Sequence, residues 1–231
     1  MRLTVLDPGN PEQDFPLVSQ ALREPDGLLA IGGCLSPKRL LNAYRHGIFP
    51  WYNHDEPILW WSPDPRLVLF PDKLIISSSL RKTLRKNIFS VTFDRAFNQV
   101  ITACAAPRKD SAGTWITEEI KTAYNQLHQA GFAHSIEAWD GDELVGGLYG
   151  VTLGQVFLGE SMFHTRTDAS KVAFAVLVQQ LKYWDYQLID CQVHTKHLAS
   201  FGAEEIDRDY FVKLLDQYCD SPAKPSAWQS Q

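Results

Sequence analysis

Helical spacing of apolar residues dominates the first half of this chain after an irregular start, and strand alternation takes over near His134. Residues up to about 20 include Pro8, Gly9, Pro11 and Pro16 and predict no regular element. The run Gly27-Leu28-Leu29-Ala30-Ile31-Gly32-Gly33 predicts a short apolar strand that ends in a glycine turn. The helix after it is marked at both ends. Ser36 suits the cap, Pro37 the first helical position and Gly47 the stop, with Leu35 and Leu40 at the spacing of a hydrophobic staple. Ser77 to Asn87 predicts a short helix with Leu80 and Leu84 inward, and Asp94 to about Cys104 another, using Phe97, Val100, Ile101 and Cys104. Thr117 is placed to cap a third, which turns Ile120, Ala123, Tyr124 and Leu127 to the core and ends at Gly131.

From His134 the pattern predicts a hairpin: Ser135 to Trp139, the turn Asp140-Gly141-Asp142, then Leu144 to Val151. A third strand, Gln155 to Phe163, is expected to set Leu158, Glu160 and Met162 on one face and Phe157, Gly159 and Ser161 on the other. Thr167 or Asp168 would cap a long helix carrying Phe174, Leu177, Val178, Leu181 and Trp184. A strand over Gln187–Val193 follows, then a short helix from Thr195 to Gly202 and an amphipathic one using Phe211, Leu214, Leu215 and Tyr218. Beyond Asp220 the Pro/Ser-rich end reads as a mobile tail.

With 231 residues, 45% of them apolar, the chain has enough material for a sizeable core. No apolar h-region opens it and no 18-residue apolar run occurs, so neither a signal peptide nor a membrane-spanning helix is expected. Four scattered cysteines fit reduced thiols in a cytoplasmic protein, with no spacing for zinc or redox work. No oligomerisation heptad is present, which leaves a monomer as the default. The net charge is −5, yet residues 61–110 hold nine basic side chains against four acidic. A locally basic stretch in an acidic protein suits a polyanion held at one confined place. Arg81, Lys82, Arg85 and Lys86 lie four apart in pairs on the Ser77–Asn87 helix, either as a solvated face or as phosphate contacts.

Three features carry candidate chemistry. Alternation along Gln187–Val193 puts Asp190 and Gln192 on one face, as a polar solvent face or as a pair that orients a small polar substrate. Glu160 stands among apolar neighbours and needs a partner, which makes it either a structural ion pair or a recognition group. Trp51, Trp60 and Trp61, set among prolines, form either a small core or a wall for a stacked ring or apolar side chain.

Taken in order, several long motifs resemble one family. They are Gly27–Gly33, His46-Gly47-Ile48-Phe49-Pro50-Trp51, Trp60-Trp61-Ser62-Pro63-Asp64-Pro65-Arg66, Gly113-Thr114-Trp115-Ile116, Leu144-Val145-Gly146-Gly147-Leu148-Tyr149-Gly150, Gly159-Glu160-Ser161-Met162-Phe163 and Leu188-Ile189-Asp190-Cys191-Gln192. The family is that of the bacterial leucyl/phenylalanyl-tRNA–protein transferases, and the likeness spans about residues 22 to 212. It implies an α/β fold: a small N-terminal α+β domain, here 1–62, and a GNAT-like mixed-sheet acyltransferase domain, here 63–231, with a mobile tail from about 221. It also implies transfer of Leu or Phe, less readily Met, from aminoacyl-tRNA to the α-amine of proteins with N-terminal Arg or Lys, marking them for degradation. By the family's motifs Asp190 and Gln192 correspond to the catalytic pair and Glu160 to a pocket carboxylate. Trp51, Trp115 and Met162 are similar to residues that hold the aminoacyl-adenosine end, with Phe157 and Leu158 as neighbours of that pocket. Cys34 departs from a common Asp and His164 from a common Ser.

The expected reaction needs no cofactor and no metal, because the aminoacyl ester is already activated. The attacking α-amine has a pKa near 8, so at pH 7.5 roughly a quarter is neutral. An ordinary aspartate near 3.9 takes that proton uphill by about 5.6 kcal/mol. Asp190 is therefore expected to orient Gln192 and attract the cationic acceptor, or to take the proton after attack. Gln192 can only align or relay. A CoA-dependent acetyltransferase is the rival enzyme reading, but His164-Thr165-Arg166-Thr167-Asp168-Ala169-Ser170 holds no glycine for a pyrophosphate turn. A non-catalytic RNA-binding protein is the other rival; it would use the basic helix and leave the Asp190 strand idle.

Overall fold

The computed structural model describes residues 3–106 and 114–229; Gly113 of the Gly113–Ile116 motif lies outside the described residues. The chain opens with β1 (Thr4–Leu6), β2 (Leu28–Gly32), α1 (Pro37–Arg45), β3 (Phe49–Pro50) and β4 (Leu59–Trp61), whose strands form a small sheet ordered β1-β2-β4-β3. Then come β5 (Arg66–Leu69), α2 (Ser78–Lys86), β6 (Ser90–Phe93), α3 (Phe97–Ala105), α4 (Glu118–Gln129), β7 (Ala133–Asp140), β8 (Glu143–Leu153) and β9 (Val156–His164). Helix α5 (Ala169–Tyr183), β10 (Leu188–Gln192), α6 (Lys196–Ala199), β11 (Glu204–Ile206) and α7 (Arg208–Tyr218) complete it. Their strands build a second sheet ordered β11-β5-β10-β9-β8-β7-β6, mixed because β10 runs parallel to β9 and antiparallel to β5. The expected mixed α/β architecture is present.

The helix signals act as read. Ser36 Oγ accepts from Arg39 N at 3.3 Å, Ser77 Oγ from Leu80 N at 3.2 Å and Thr117 Oγ1 from Ile120 N at 3.3 Å, each satisfying a first-turn N–H that the helix itself cannot. Helix α5 differs. Asp168 takes its N-cap position in the left-handed region (φ 67°) and caps nothing. Its carboxylate holds Lys171 Nζ at 2.8 Å and Thr83 Oγ1 at 3.3 Å instead, which ties α5 to α2.

Two buried clusters lie on opposite faces of the large sheet. One joins the small sheet, α1, α3, α4 and α7 to the face bearing Val68, Tyr149 and Leu158. The other packs α5, with Phe174, Leu177, Val178 and Leu181, and Leu80 of α2 on the face bearing Leu67, Phe157 and Ile189. At about 1.5–3 kcal/mol per buried large apolar side chain, α5 is held by tertiary burial far more than by helix propensity.

A bulge breaks the alternation expected along β9. Gly150 of β8 pairs with Gly159 and Tyr149 with Ser161, so Glu160 is the extra residue. Leu158 and Glu160 keep one face, but Met162 packs in the α5 cluster on the other. The C-terminal stretch is also not loose. Trp228 Nε1 donates to Tyr186 Oη at 2.8 Å, and the indole stacks on His134 at 4.0 Å and Phe157 at 6.1 Å, where a mobile tail was expected.

Candidate functional site

Strands β5 and β10 are antiparallel neighbours, and their register sets Arg66 close to Asp190. Arg66 Nε lies 2.8 Å from Asp190 Oδ1 and Nη2 lies 2.5 Å from Oδ2, a bidentate pair whose side chains are 1% and 0% exposed. Arg66 Nη1 donates to the carbonyl of Gly47 at 3.1 Å, and the rings of Phe49 and Phe211 approach the guanidinium at 4.8 and 4.6 Å. Asp190 Oδ1 accepts a further bond from the backbone N–H of Gln192 at 2.9 Å. That contact fixes Gln192 in the left-handed region (φ 61°), just past a register shift against β5.

From there the side chain of Gln192 reaches Glu160, with Nε2 at 3.2 Å from Oε1. The phenol of Tyr44, from α1, lies 2.7 Å from Glu160 Oε1, that of Tyr124, from α4, 2.9 Å from Oε2, and the two phenols contact each other. Glu160 and Gln192 are both partly open, whereas Tyr44, Tyr124 and Tyr149 are buried. Burial pushes the Glu160 carboxyl up to about 8, with the Asp190 charge adding to it; the two tyrosines and Arg66 pull the other way. Burial, and then the Glu160 charge, also raise all three phenols well above their ordinary range, so they stay protonated.

The sequence-predicted residues separate into groups. Asp190, Gln192 and Glu160 come together, on the face that alternation predicts for the first two. Phe157 and Leu158 do not share a pocket wall, because they face opposite clusters across β9, and Met162 sides with Phe157. The tryptophans also divide. Trp60 is core, 0% exposed, with Nε1 on the carbonyl of Gly32 at 2.8 Å. Trp51 is 48% exposed, and Trp61 sits 5.8 Å from it, ring to ring, donating Nε1 to the Trp51 carbonyl at 2.7 Å. Trp115 is half-buried on the loop leading into α4, where Thr117 flanks the Tyr52 phenol. Arg81, Lys82, Arg85 and Lys86 are all exposed and enter no ion pair among the described residues. Helix α2 packs on α5, across the sheet from Tyr44 and Tyr124.

Asp190 is closed to solvent, with Oδ1 accepting from Arg66 Nε and the Gln192 N–H and Oδ2 from Arg66 Nη2, so its carboxylate faces the Arg66 guanidinium rather than open space where a cationic substrate could approach. The residues missed were Arg66, Tyr44 and Tyr124. Tyr124 was legible as a core position of α4, and a buried tyrosine needs a partner for its hydroxyl. Among the described residues no group of three His, Cys, Asp or Glu is gathered to hold a metal ion, and no helix is long and apolar enough to cross a membrane.

Two family models match this chain. Residues 68–216 match leucyl/phenylalanyl-tRNA protein transferase, and residues 33–64 match the N-terminal domain of leucyl/phenylalanyl-tRNA protein transferase. Among curated relatives, a leucyl/phenylalanyl-tRNA–protein transferase of Methylococcus capsulatus is 58% identical over 98% of this chain and 97% of its own length. One from Nitrosomonas europaea is 59% identical over 93% of this chain and 91% of its own. Among solved structures, a GCN5-related N-acetyltransferase from Kribbella flavida superposes with a TM-score of 0.37 at 12% identity, over 71% of this chain and 59% of that one. The near full-length identity decides the matter: the chain belongs to the leucyl/phenylalanyl-tRNA–protein transferase family.

Proposed function

We propose that this chain moves leucine or phenylalanine, and less readily methionine, from aminoacyl-tRNA onto the α-amine of proteins that begin with Arg or Lys, the step that marks them for degradation. The observation that carries this reading is the line of contacts Arg66–Asp190–Gln192–Glu160, which ends at two partly open polar side chains on the face shared with the small sheet. The bond made is between the acceptor nitrogen and the ester carbonyl carbon. The bond broken joins that carbon to the ribose oxygen, and one proton passes from nitrogen to that oxygen. The work left to the protein is positioning. Asp190, held by Arg66, fixes the backbone of Gln192. With Nε2 on Glu160, the Gln192 amide oxygen is left as an acceptor for the attacking amine.

Trp51, with Trp61 beside it, and Trp115 supply ring surface for the adenosine end. Met162 is assigned to the aminoacyl-adenosine end, and Phe157 and Leu158, both fully buried, act as neighbours that back the strand from either face without touching the substrate. An apolar pocket discriminates by only about 1–3 kcal/mol per methylene, which fits tolerance of Leu, Phe and Met together. Arg81, Lys82, Arg85 and Lys86 hold tRNA phosphates without reading bases. The reading includes a cytoplasmic monomer whose N-terminal part, residues 1–62, is distinct from a catalytic part, residues 63–231. The test is transfer of labelled leucine from Leu-tRNA to a peptide starting with Arg, with a Gly-starting peptide as control. Equal labelling of both sinks the acceptor assignment, and labelling of neither sinks the activity.

A further inference from the structure

Strands β9 and β10 are parallel neighbours, so both open at their C-terminal ends on the same edge of the sheet, past Glu160 and Gln192. Ligands of open α/β sheets sit outside such strand ends. Three basic side chains that the transfer chemistry leaves unused gather there. His164 ends β9, is exposed, and has its ring tied through Nδ1 to Ser170 Oγ at 3.4 Å. His197 stands in α6, the helix that follows β10, against the ring of Phe201 at 5.4 Å, and its Nε2 is buried without a hydrogen-bond partner. Lys171 lies in the first turn of α5, 44% exposed. Burial first, then the charges of Lys171 and His164, hold the His197 imidazole below its ordinary range, so the three groups lie within electrostatic reach of one another.

Basic groups brought together repel, and a buried ring nitrogen without a partner is unfavourable; one anion seated among them relieves both. The nearby acids do not fill that place. Asp168 is held by Lys171 Nζ at 2.8 Å and Thr83 Oγ1 at 3.3 Å, Asp140 pairs with Arg166, and Glu205 lies 3.4 Å from His194. Lys196, next to His197, is exposed and enters no ion pair among the described residues. Helix α5 receives no side-chain cap, so the N–H groups of its first turn add partial positive charge.

We infer that His164, Lys171 and His197, with the uncapped first turn of α5, form a phosphate site at the rim of the transfer site, filled by the phosphodiester that joins the terminal adenosine of aminoacyl-tRNA to the rest of the RNA. Side chains supply the donors here in place of a glycine turn. The terminal ribose carries the ester that must reach Gln192 and, across the sugar, this phosphate, so a phosphate site belongs close to the reacting carbonyl. The Thr83–Asp168 contact couples α2 to the same turn, and the cations of α2 continue the track for phosphates further along. Holding the phosphate fixes the donor in place for attack.

This rests on the reading of the chain as an aminoacyl-tRNA transferase, and two measurements on the full chain separate the two ideas. The first is NMR of 15N-histidine protein with adenosine 5′-monophosphate, adenosine or inorganic phosphate added, the signals assigned by their loss in His164→Gln and His197→Gln. Both imidazoles should shift with the monophosphate and not with adenosine. No shift with the monophosphate overturns the site; an equal shift with inorganic phosphate at the same concentration means an adventitious ion only and overturns the ligand. The second is transfer kinetics with Leu-tRNA and with leucyl-adenosine, which keeps the ester but has no phosphate. One variant is His164→Gln/His197→Gln; the other joins Lys171→Gln to Asp168→Asn, so that no bare carboxylate remains. Each should raise KM for Leu-tRNA about fivefold or more, with kcat and the KM for leucyl-adenosine as in wild type. An unchanged KM for Leu-tRNA in both, or an equal rise with both donors, overturns the inference. A wild type that uses neither donor sinks the transfer reading, and the imidazole shifts then decide the phosphate site by themselves.

Discussion

Arg66 and Asp190 form a bidentate ion pair, at 2.8 and 2.5 Å, with both side chains sealed from solvent and the guanidinium flanked by Phe49 and Phe211. Burying two charges is costly, and breaking such a pair from one side leaves the other charge uncompensated, at about 3–5 kcal/mol. Asp190→Ala should therefore lose stability of that order as well as turnover, as read by urea unfolding. The double variant Arg66→Met/Asp190→Leu should regain much of the stability and none of the transfer. A double variant that transfers at the wild-type rate would remove Asp190 from the site.

Glu160 makes stability depend on pH in a definite direction. Its carboxyl is raised to about 8 from an ordinary 4.5, so between those values the folded protein binds more protons than the unfolded chain. Stability from this group is complete below about 4.5 and is lost as pH rises toward 8, by at most about 1.4 kcal/mol per pH unit. Thermal unfolding of wild type minus Glu160→Gln across that window isolates the slope; a difference that rises with pH contradicts it.

Helix α2 offers four exposed cations that take part in no ion pair among the described residues. Changing Arg81, Lys82, Arg85 and Lys86 to Gln should leave Tm nearly unchanged and weaken tRNA binding. The slope of log K against log salt should flatten by roughly 0.7–0.9 for each phosphate that is no longer neutralised. An unaltered slope puts the tRNA on another surface.

Trp228 ties the C-terminal stretch to Tyr186, His134 and Phe157. Trp228→Ala should lower stability by about 2–3 kcal/mol, because it removes aromatic stacking and buried apolar area. It should also loosen Phe157, which the indole covers, and so change the ratio of Leu to Phe transfer. No change in Tm would mean that the tail is undocked in solution.

Gly150 marks the bulge on the β8 side. A Cβ there would overlap the carbonyl oxygen of Leu158 and the ring of Phe157. The backbone oxygen cannot swing aside as a flexible side chain could, so Gly150→Ala should cost about 2–4 kcal/mol and displace Glu160. Equal stability would show that β8 and β9 can separate without penalty.

Much of the local structure was legible because it depends on neighbours in sequence. The caps of α1, α2 and α4, the hairpin at Gly141 and the shared face of Asp190 and Gln192 all follow from side-chain spacing within a few residues. The family motifs add Glu160 on the same reasoning, position by position. What failed was alternation through β9, since a bulge is set by pairing with β8 and nothing in the spacing of Leu158, Glu160 and Met162 announces it.

By itself the sequence determined the helices, the strands β2 and β7 to β10, the family and the pairing of Asp190 with Gln192 on one strand face, but not the short strands β1, β3 to β6 and β11. Only the tertiary structure decided what those residues are able to do. Tyr44 lies 80 residues from Tyr124 and 116 from Glu160, and Arg66 lies 124 from Asp190, so their contacts exist only once α1, α4 and two strands pack together. Packing closes Asp190 off with a cation and leaves Glu160 among hydroxyls. Two carboxylates that look alike in the sequence thereby acquire different surroundings: one has a guanidinium beside it, and the other lies among hydroxyls where burial raises its pKa.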